Sequence, residues 1–424
     1  MLVMNIGDFL FSMQQNRRKN SLNICNEIFG SINFVGSLIW QQRKGGGNDS
    51  RYVAVDHEYI LIYAKAMSNL KDRWYIAQSE EYLKRYKEVD ENGRYYWDTL
   101  VRNGLQNPIV ITLDTPDGGS ITINSQKSKE TVLAGLKNGT VRFTKGANGW
   151  SLHHKVYMKG GQVLRSILTE YGNNRSSGDE LTKLFGEMVF DYSKPSTLIK
   201  LLCQLNTKEN DIIIDFFSGS ATTAQAVMQL NAEDNGNRKF IMIQLPEQCA
   251  ENSKAFQMGY NTICEVGKER IRKAGTAIKE DSPLTTQNLD TGFRVLKLDD
   301  TNMNDVYYSA GDYTQGMLSL LESNVKADRT DLDLLFGCLL EWGLPLSLPY
   351  TSETIGGCTV HTYNDGDLIA CFDEDIPDSV IKTIAKKQPL RAVFRDSSFA
   401  NSPSKINVGE VFKLLAPDTR VKVL

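Results

Sequence analysis

DIIIDFFSGSATTAQAVMQ, residues 211–229, breaks an apolar run at a loop of small residues that opens straight into a helical pattern. Ile212, Ile213, Ile214 and Phe216 read as a strand buried on both faces, as a parallel sheet requires. Asp215 and the loop Phe217-Ser218-Gly219-Ser220-Ala221 then fall at the carboxyl end of that strand, where open α/β sheets bind their ligands. Gly219 admits close backbone approach, and Thr222 and Thr223 offer hydroxyls suited to capping the first turn. A second strand, RKFIMIQLPE at residues 238–247, arrives where a βαβ unit returns. Its polar end lies about 25 residues past Gly219, near the offset of a ribose-binding side chain, where Asp or Glu is usual. Gln244 is the better-placed hydroxyl partner and Glu247 the charged alternative. A helix-flanked strand pair whose polar residues only cap its elements would read the same way.

DFFSGSATTAQAVM, with YSKPS at residues 192–196 before it and RKFIMIQLPE after it, resembles the S-adenosylmethionine-binding half of β-class DNA adenine-N6 methyltransferases. Within that class the resemblance is to the modification (Mod) subunits of type III restriction-modification systems. It runs on through TICEVGKERIR (262–272), GFRVLKLD (292–299), DRTDLDLLF (328–336) and AVFRDSSF (392–399) to the tail at 405–424. Upstream, NEIFGSINFVGSLIW (26–40) and HEYILIYAK (57–65) fit the same family. The resemblance implies an α/β fold: an incomplete Rossmann-like methyltransferase sheet, an inserted recognition domain and an α+β carboxyl-terminal domain. It implies S-adenosylmethionine as cofactor, held by Lys194, Pro195, Ser196, Asp215, Phe217, Ser218, Gly219, Ser220, Ala221, Thr222, Gln244 and Glu247. Proline near the start of the helix at 197–205 suits a helix N-terminus, whose free amides would hold the methionine carboxylate.

One departure stands against this agreement. The family's catalytic tetrapeptide, Asp-Pro-Pro-Tyr or a close variant, precedes the cofactor motif, yet no two prolines are adjacent anywhere in these 424 residues. Asn107-Pro108-Ile109 and Leu348-Pro349-Tyr350 lack the pair and lie in the wrong segments. Residues 8–13, DFLFSM, resemble the strand that follows the catalytic one, and Gln14 and Gln15 stand where family members tend to carry acids. The chemistry makes this matter: adenine's exocyclic amine is a poor nucleophile, and these enzymes flip the base and hold it against that loop. The protein's contribution is alignment and polarisation. No catalytic residue is therefore assigned, and a truncated or split gene, or a start codon placed too late, is the expectation.

A net charge of −3 excludes a globally basic DNA binder, but phosphate contacts need only a local patch. Arg17, Arg18 and Lys19, or Lys84, Arg85 and Lys87, read first as solvated faces. Arg43 and Lys44 are the DNA-binding candidates, because Gly45-Gly46-Gly47-Asn48 follows as a flexible loop. The seven cysteines show no metal-ligand spacing, and most sit in apolar runs as small core residues. The apolar start at residues 1–13 is interrupted by Asn5 and Asp8 and so does not read as a signal peptide, and nothing approaches a membrane span, so a cytoplasmic protein is expected.

Residues 1–65 read as late strands of the methyltransferase core, 66–186 as a target-recognition domain, 187–298 as the cofactor-binding half and 299–424 as an assembly domain. In the second segment Trp74, Tyr96, Trp97 and Trp150 are core or base-stacking residues, and His57 before it is a structural or DNA-facing histidine. The partners implied by the resemblance are double-stranded DNA, a second Mod copy and a restriction (Res) subunit, with no membrane. Three functions remain open: a type III adenine-N6 methyltransferase chain inactive alone, a non-catalytic DNA-binding or assembly subunit, and an unrelated nucleotide-binding enzyme.

Overall fold

The computed structural model of the chain describes residues 2–4, 8–13, 18–45, 50–70, 74–78, 80–101, 104, 106–147, 149–304, 325–399 and 402–424. Gln14, Gln15, Arg17, Gly46, Gly47 and Asn48, named above, lie outside them. The chain divides into two compact units, Met1–Gly292 and Phe293–Leu424. Among the described residues no helix is long and apolar enough to cross a membrane.

The first unit is built on a seven-stranded mixed sheet in the order Ile167–Leu168, Phe34–Gln41, His57–Ala64, Asp8–Met13, Leu2–Met4, Ile212–Asp215, Lys239–Met242. Ile212–Asp215 runs parallel to Lys239–Met242 and antiparallel to Leu2–Met4, so the sheet is not the all-parallel one that the apolar run suggests. One face is covered by helices Ser196–Asn206 and Thr222–Asp234, whose Leu198, Leu201, Leu202, Val227 and Leu230 pack with Ile213, Ile60, Ile62 and Trp40. Helix Arg18–Phe29 lies on the opposite face, against Leu61 and Tyr63. The expectation of two-sided burial at residues 212–216 fails. Ile213 is fully buried, but Ile212 is 41% and Ile241 46% exposed, and Phe216, Ile243 and Leu245 are exposed with them. The parallel pair Ile212–Asp215 and Lys239–Met242 thus has one packed and one open apolar face.

Between His57–Ala64 and helix Asn174–Phe185 the chain forms a separate antiparallel sheet, ordered Val141–Gly146, Gly149–Tyr157, Gly93–Thr99, Glu88–Asp90. Hairpin Ile109–Asp114/Ser120–Ser125 and helix Lys129–Lys137 close its core around Leu100, Ile111, Leu113, Val132 and Leu152. The sheet's other face carries Tyr95, Trp97, Lys155 and Tyr157, brought together by the pairing of Gly93–Thr99 with Gly149–Tyr157.

The second unit is a five-stranded sheet, Tyr350–Ile355, Cys358–Tyr363, Leu368–Cys371, Arg391–Phe394 and Arg420–Val423, antiparallel at its start and parallel at its end. Helices Asp378–Lys386 and Ser402–Leu415 cover one face and Asp331–Glu341 the other, so every residue of Leu368–Cys371 is buried.

Two expectations follow. Ile213→Ala should cost about 2–5 kcal/mol and Ile241→Ala under about 1 kcal/mol, read from urea unfolding; equal losses would contradict the one-sided packing. Residues 293–299 are irregular, with Val295, Leu296 and Leu298 exposed, so limited proteolysis should cut there first and leave a carboxyl-terminal fragment. A first cut within Thr222–Asp234 would contradict this.

Candidate functional site

The strand Ile212–Asp215 delivers its chain into a turn that is held from three directions. Asp215 accepts at Oδ1 from the Phe217 amide at 3.1 Å and at Oδ2 from the Thr223 hydroxyl at 2.6 Å, tying the loop's two ends to its first residue. The Ser218 amide donates to the Ile243 carbonyl at 3.2 Å, and the Gly219 amide donates to Gln244 Oε1 at 2.8 Å, latching the loop to the neighbouring strand's end. Gly219 has φ +50° and Ala221 φ +61°, so the loop makes two left-handed steps before helix Thr222–Asp234 begins. A Cβ on Gly219 would stand 3.4 Å from the Phe190 ring, and one on Gly267 only 3.3 Å from the Gly219 carbonyl. Helix Ile263–Asp281 therefore packs directly on the loop's backbone through Gly267.

Three residues on, the same helix drives Arg270, fully buried, behind the loop. Its Nη1 donates to the hydroxyls of Ser193 (2.8 Å), Ser220 (2.8 Å) and Thr222 (2.7 Å). Nε donates to Gln225 Oε1 at 2.8 Å, and Nη2 to Glu180 Oε2 at 3.2 Å. Burial pulls the guanidinium down to about 10, with Glu180 opposing the shift, so it stays charged at neutral pH. Glu180 also accepts from Gln225 Nε2 at 3.0 Å, from the Ser196 amide at 3.2 Å and from the Ser196 hydroxyl. One ion pair thereby joins helix Asn174–Phe185, the turn at Ser193, the start of helix Ser196–Asn206 and the loop.

The candidate binding residues divide by what their polar atoms already do. Ser196, Ser220 and Thr222 are buried, and their hydroxyls serve the Arg270–Glu180 network. Thr222 and Thr223 do not cap the helix as expected, since its N-cap is Ala221 with no side-chain bond. The Ser196 amide, expected free for a ligand carboxylate, is taken by Glu180. Lys194 places Nζ 2.7 and 2.9 Å from the two oxygens of buried Glu58 and 5.1 Å over the Trp40 ring, where it neutralises a strand carboxylate. Pro195 is buried as the N-cap of its helix. Gln244, expected to meet a hydroxyl, spends its amide oxygen on Gly219. Left facing solvent are the Phe217 ring, 74% exposed, the partly exposed backbone of Ser218 and Gly219, and the Glu247 carboxylate.

Arg270, Glu180, Gln225 and Glu58 were not among the expected site residues. The signal for Arg270 was a charged member in an otherwise small and apolar stripe, Val266, Gly267, Ile271, Ala274, behind the Thr262/Glu265 capping box. Elsewhere, Arg43 and Lys44 are exposed, and the preceding Gln42 is bonded to Asn174 at the start of the Glu180 helix. His57 packs edge-on to Tyr59 at 5.0 Å. Trp74 packs on the main core. Arg142 lies 4.0 Å over Trp97, Lys155 4.4 Å over Tyr95, and Arg85 4.5 and 5.0 Å over Tyr82 and Tyr96. Trp150 donates to Asp117 at 2.7 Å.

A family model described as DNA methylase matches residues 2–255. The type III restriction-modification enzyme StyLTI Mod subunit of Salmonella typhimurium is 32% identical over 312 residues, 69% of this chain and 45% of that protein. The EcoP15I Mod subunit of Escherichia coli is 26% identical over 464 aligned residues, 97% of this chain and 68% of that protein. The chain thus spans about half to two thirds of the length of these relatives. A solved structure titled as the M1.HpyAVI–SAM complex aligns with 57% of this chain and 68% of that one, at 12% identity and a TM-score of 0.24.

Removing the guanidinium would leave Glu180 and three hydroxyls without their buried donor. Arg270→Met should therefore destabilise the first unit by about 3–5 kcal/mol. Arg270→Lys should recover little, since one ammonium cannot reach acceptors spread over a planar fork. Urea unfolding measures both, and a loss under about 1 kcal/mol for Arg270→Met would contradict the role given to the network.

Proposed function

Since the chain belongs to the DNA methylase family, we propose that its first unit binds S-adenosylmethionine and DNA as part of a type III adenine-N6 methyltransferase of the Mod kind. The observation that carries the reading is the loop at residues 215–221, built at the carboxyl end of a sheet strand and held by Asp215, Gln244 and Arg270. Its outer side is left to solvent. The exposed groups suit the cofactor: Phe217 offers an apolar face for the adenine ring, and Glu247 an acceptor for ribose hydroxyls. Ser218 and Gly219 offer backbone with little side-chain bulk. Lys194, Pro195, Ser196, Ser220 and Thr222 support the site from behind. When bound, S-adenosylmethionine supplies an electrophilic methyl on sulfonium.

DNA is assigned to the inserted sheet, with Arg43 and Lys44 as further phosphate partners. The support is Arg142, stacked 4.0 Å over the Trp97 ring, a cation and aromatic face of the kind nucleic acids recognise; Lys155, over Tyr95, is already paired with Asp90 at 2.5 Å. The carboxyl-terminal unit is assigned to assembly with a second copy and a restriction subunit, on the same kinship.

These 424 residues hold no adjacent prolines and so no loop of the Asp-Pro-Pro-Tyr kind to polarise the adenine amine. The chain by itself is expected to transfer no methyl group. Tritiated methyl incorporation into a mixed-sequence DNA pool tests this, and counts above a no-protein control would refute it. Cofactor binding is measured separately with S-adenosylhomocysteine by calorimetry. Gly219→Val puts a β-branched residue at φ +50°, a conformation such residues avoid, and should abolish binding while far-UV circular dichroism is unchanged. Equal affinities for the two proteins would remove the site. A chain that bound DNA but not the homocysteine analogue would instead be the non-catalytic recognition or assembly subunit.

A further inference from the structure

In the second unit, a two-residue glycine turn joins Tyr350–Ile355 to Cys358–Tyr363 and places Cys358 at the hairpin's end. Cys371 lies opposite Val360 on the next strand, so the two cysteines share one sheet face as diagonal neighbours. Asp373 follows two residues later. Both sulfur atoms and a carboxylate oxygen of Asp373 lie within 4.8 Å of one another. Ligands around one tetrahedral zinc, at about 2.3 Å for sulfur and about 2.0–2.2 Å for oxygen, stand somewhat closer than that, within reach of side-chain adjustment. The carboxylate is oriented: its Oδ2 accepts from the Thr359 amide and lies 4.0 Å from Cys371 Sγ. Among the described residues no lysine, arginine or histidine pairs with Asp373. A partly buried carboxylate that accepts from the Cys371 thiol, beside a second buried thiol and with no cation paired to it among the described residues, gathers the soft and anionic donors that a thiophilic metal ion favours.

We propose that Cys358, Cys371 and Asp373 form a site for one thiophilic divalent cation of the zinc type, pinning the glycine hairpin to the segment after Leu368–Cys371. Binding releases both thiol protons to solvent, so two thiolates and one carboxylate surround a divalent ion. Thr359 orients the carboxylate as a metal's outer partners do. With three protein donors, one position stays open to water.

The test uses the full chain, reduced with a phosphine and stripped of metal, then titrated with Co²⁺. A thiolate-to-cobalt charge-transfer band should grow to saturation at a single equivalent and vanish when Zn²⁺ is added. Cys371→Ala should lose the band. Asp373→Asn, nearly isosteric and at a partly exposed position, should bind about tenfold more weakly or worse, and it decides the matter if the cysteine variant does not fold. No band in the native chain, a band surviving in Cys371→Ala, or unchanged affinity in Asp373→Asn would overturn the site.

Discussion

Everything at the loop depends on one buried positive charge. Taking a guanidinium fully out of water costs several kcal/mol after relaxation, and the cost is offset only where each of its nitrogens finds an acceptor. Arg270 meets that condition with a carboxylate, an amide oxygen and three hydroxyls drawn from four separate segments. Nη1 has two hydrogens for three hydroxyl oxygens. The hydroxyls accordingly bond among themselves, Ser193 to Ser220 and to Thr222 at 3.1 Å each. None of these groups can move without stranding another, so the network fixes where the loop's backbone stands.

This explains why residues that look like ligand contacts are supports. Small hydroxylated residues in a loop after an apolar strand suit both roles equally, and only the position of the donor decides between them. Here the donor comes from behind, on a helix whose Gly267 lets it sit against the Gly219 carbonyl, where a Cβ would stand only 3.3 Å away. Gln244 repeats the pattern. A neutral amide oxygen can accept the Gly219 N–H without bringing a charge into the turn, whereas a carboxylate there would add one beside Asp215. The exposed Glu247 is then left as the charged group on the solvent side.

What could be read in advance was local. The strand, the helix after Gly219, the proline-started helix at Ser196–Asn206 and the Thr262/Glu265 capping box follow from periodicity and terminal residues, whose physics acts over a few positions. The Glu180–Arg270 pair could not be read that way, since its members are 90 residues apart and an isolated arginine in a helix is ordinarily solvated. Lys194 shows the same limit: its position was legible, but its partner Glu58 stands on a strand 136 residues earlier.

Burial is the other property that local sequence does not carry. Ile212–Asp215 (IIID) and Leu368–Cys371 (LIAC) are four-residue strands that both open on apolar runs, yet the second is buried throughout and the first has an exposed isoleucine beside one fully buried. The difference lies in what else packs nearby. The second unit has helices on both faces of its sheet, whereas among the described residues the parallel pair in the first has them on one. An apolar strand reports that covering both faces would be favourable, at about 25 cal/mol per Å² buried; which segments do the covering is decided elsewhere. Ile212, Ile241 and Ile243 therefore stand as apolar area whose burial is still to be gained, next to the loop whose geometry Arg270 holds. Rigidity at that loop comes from the polar network behind it and owes nothing to the open face, so the site keeps its shape beside a strand pair packed from one side.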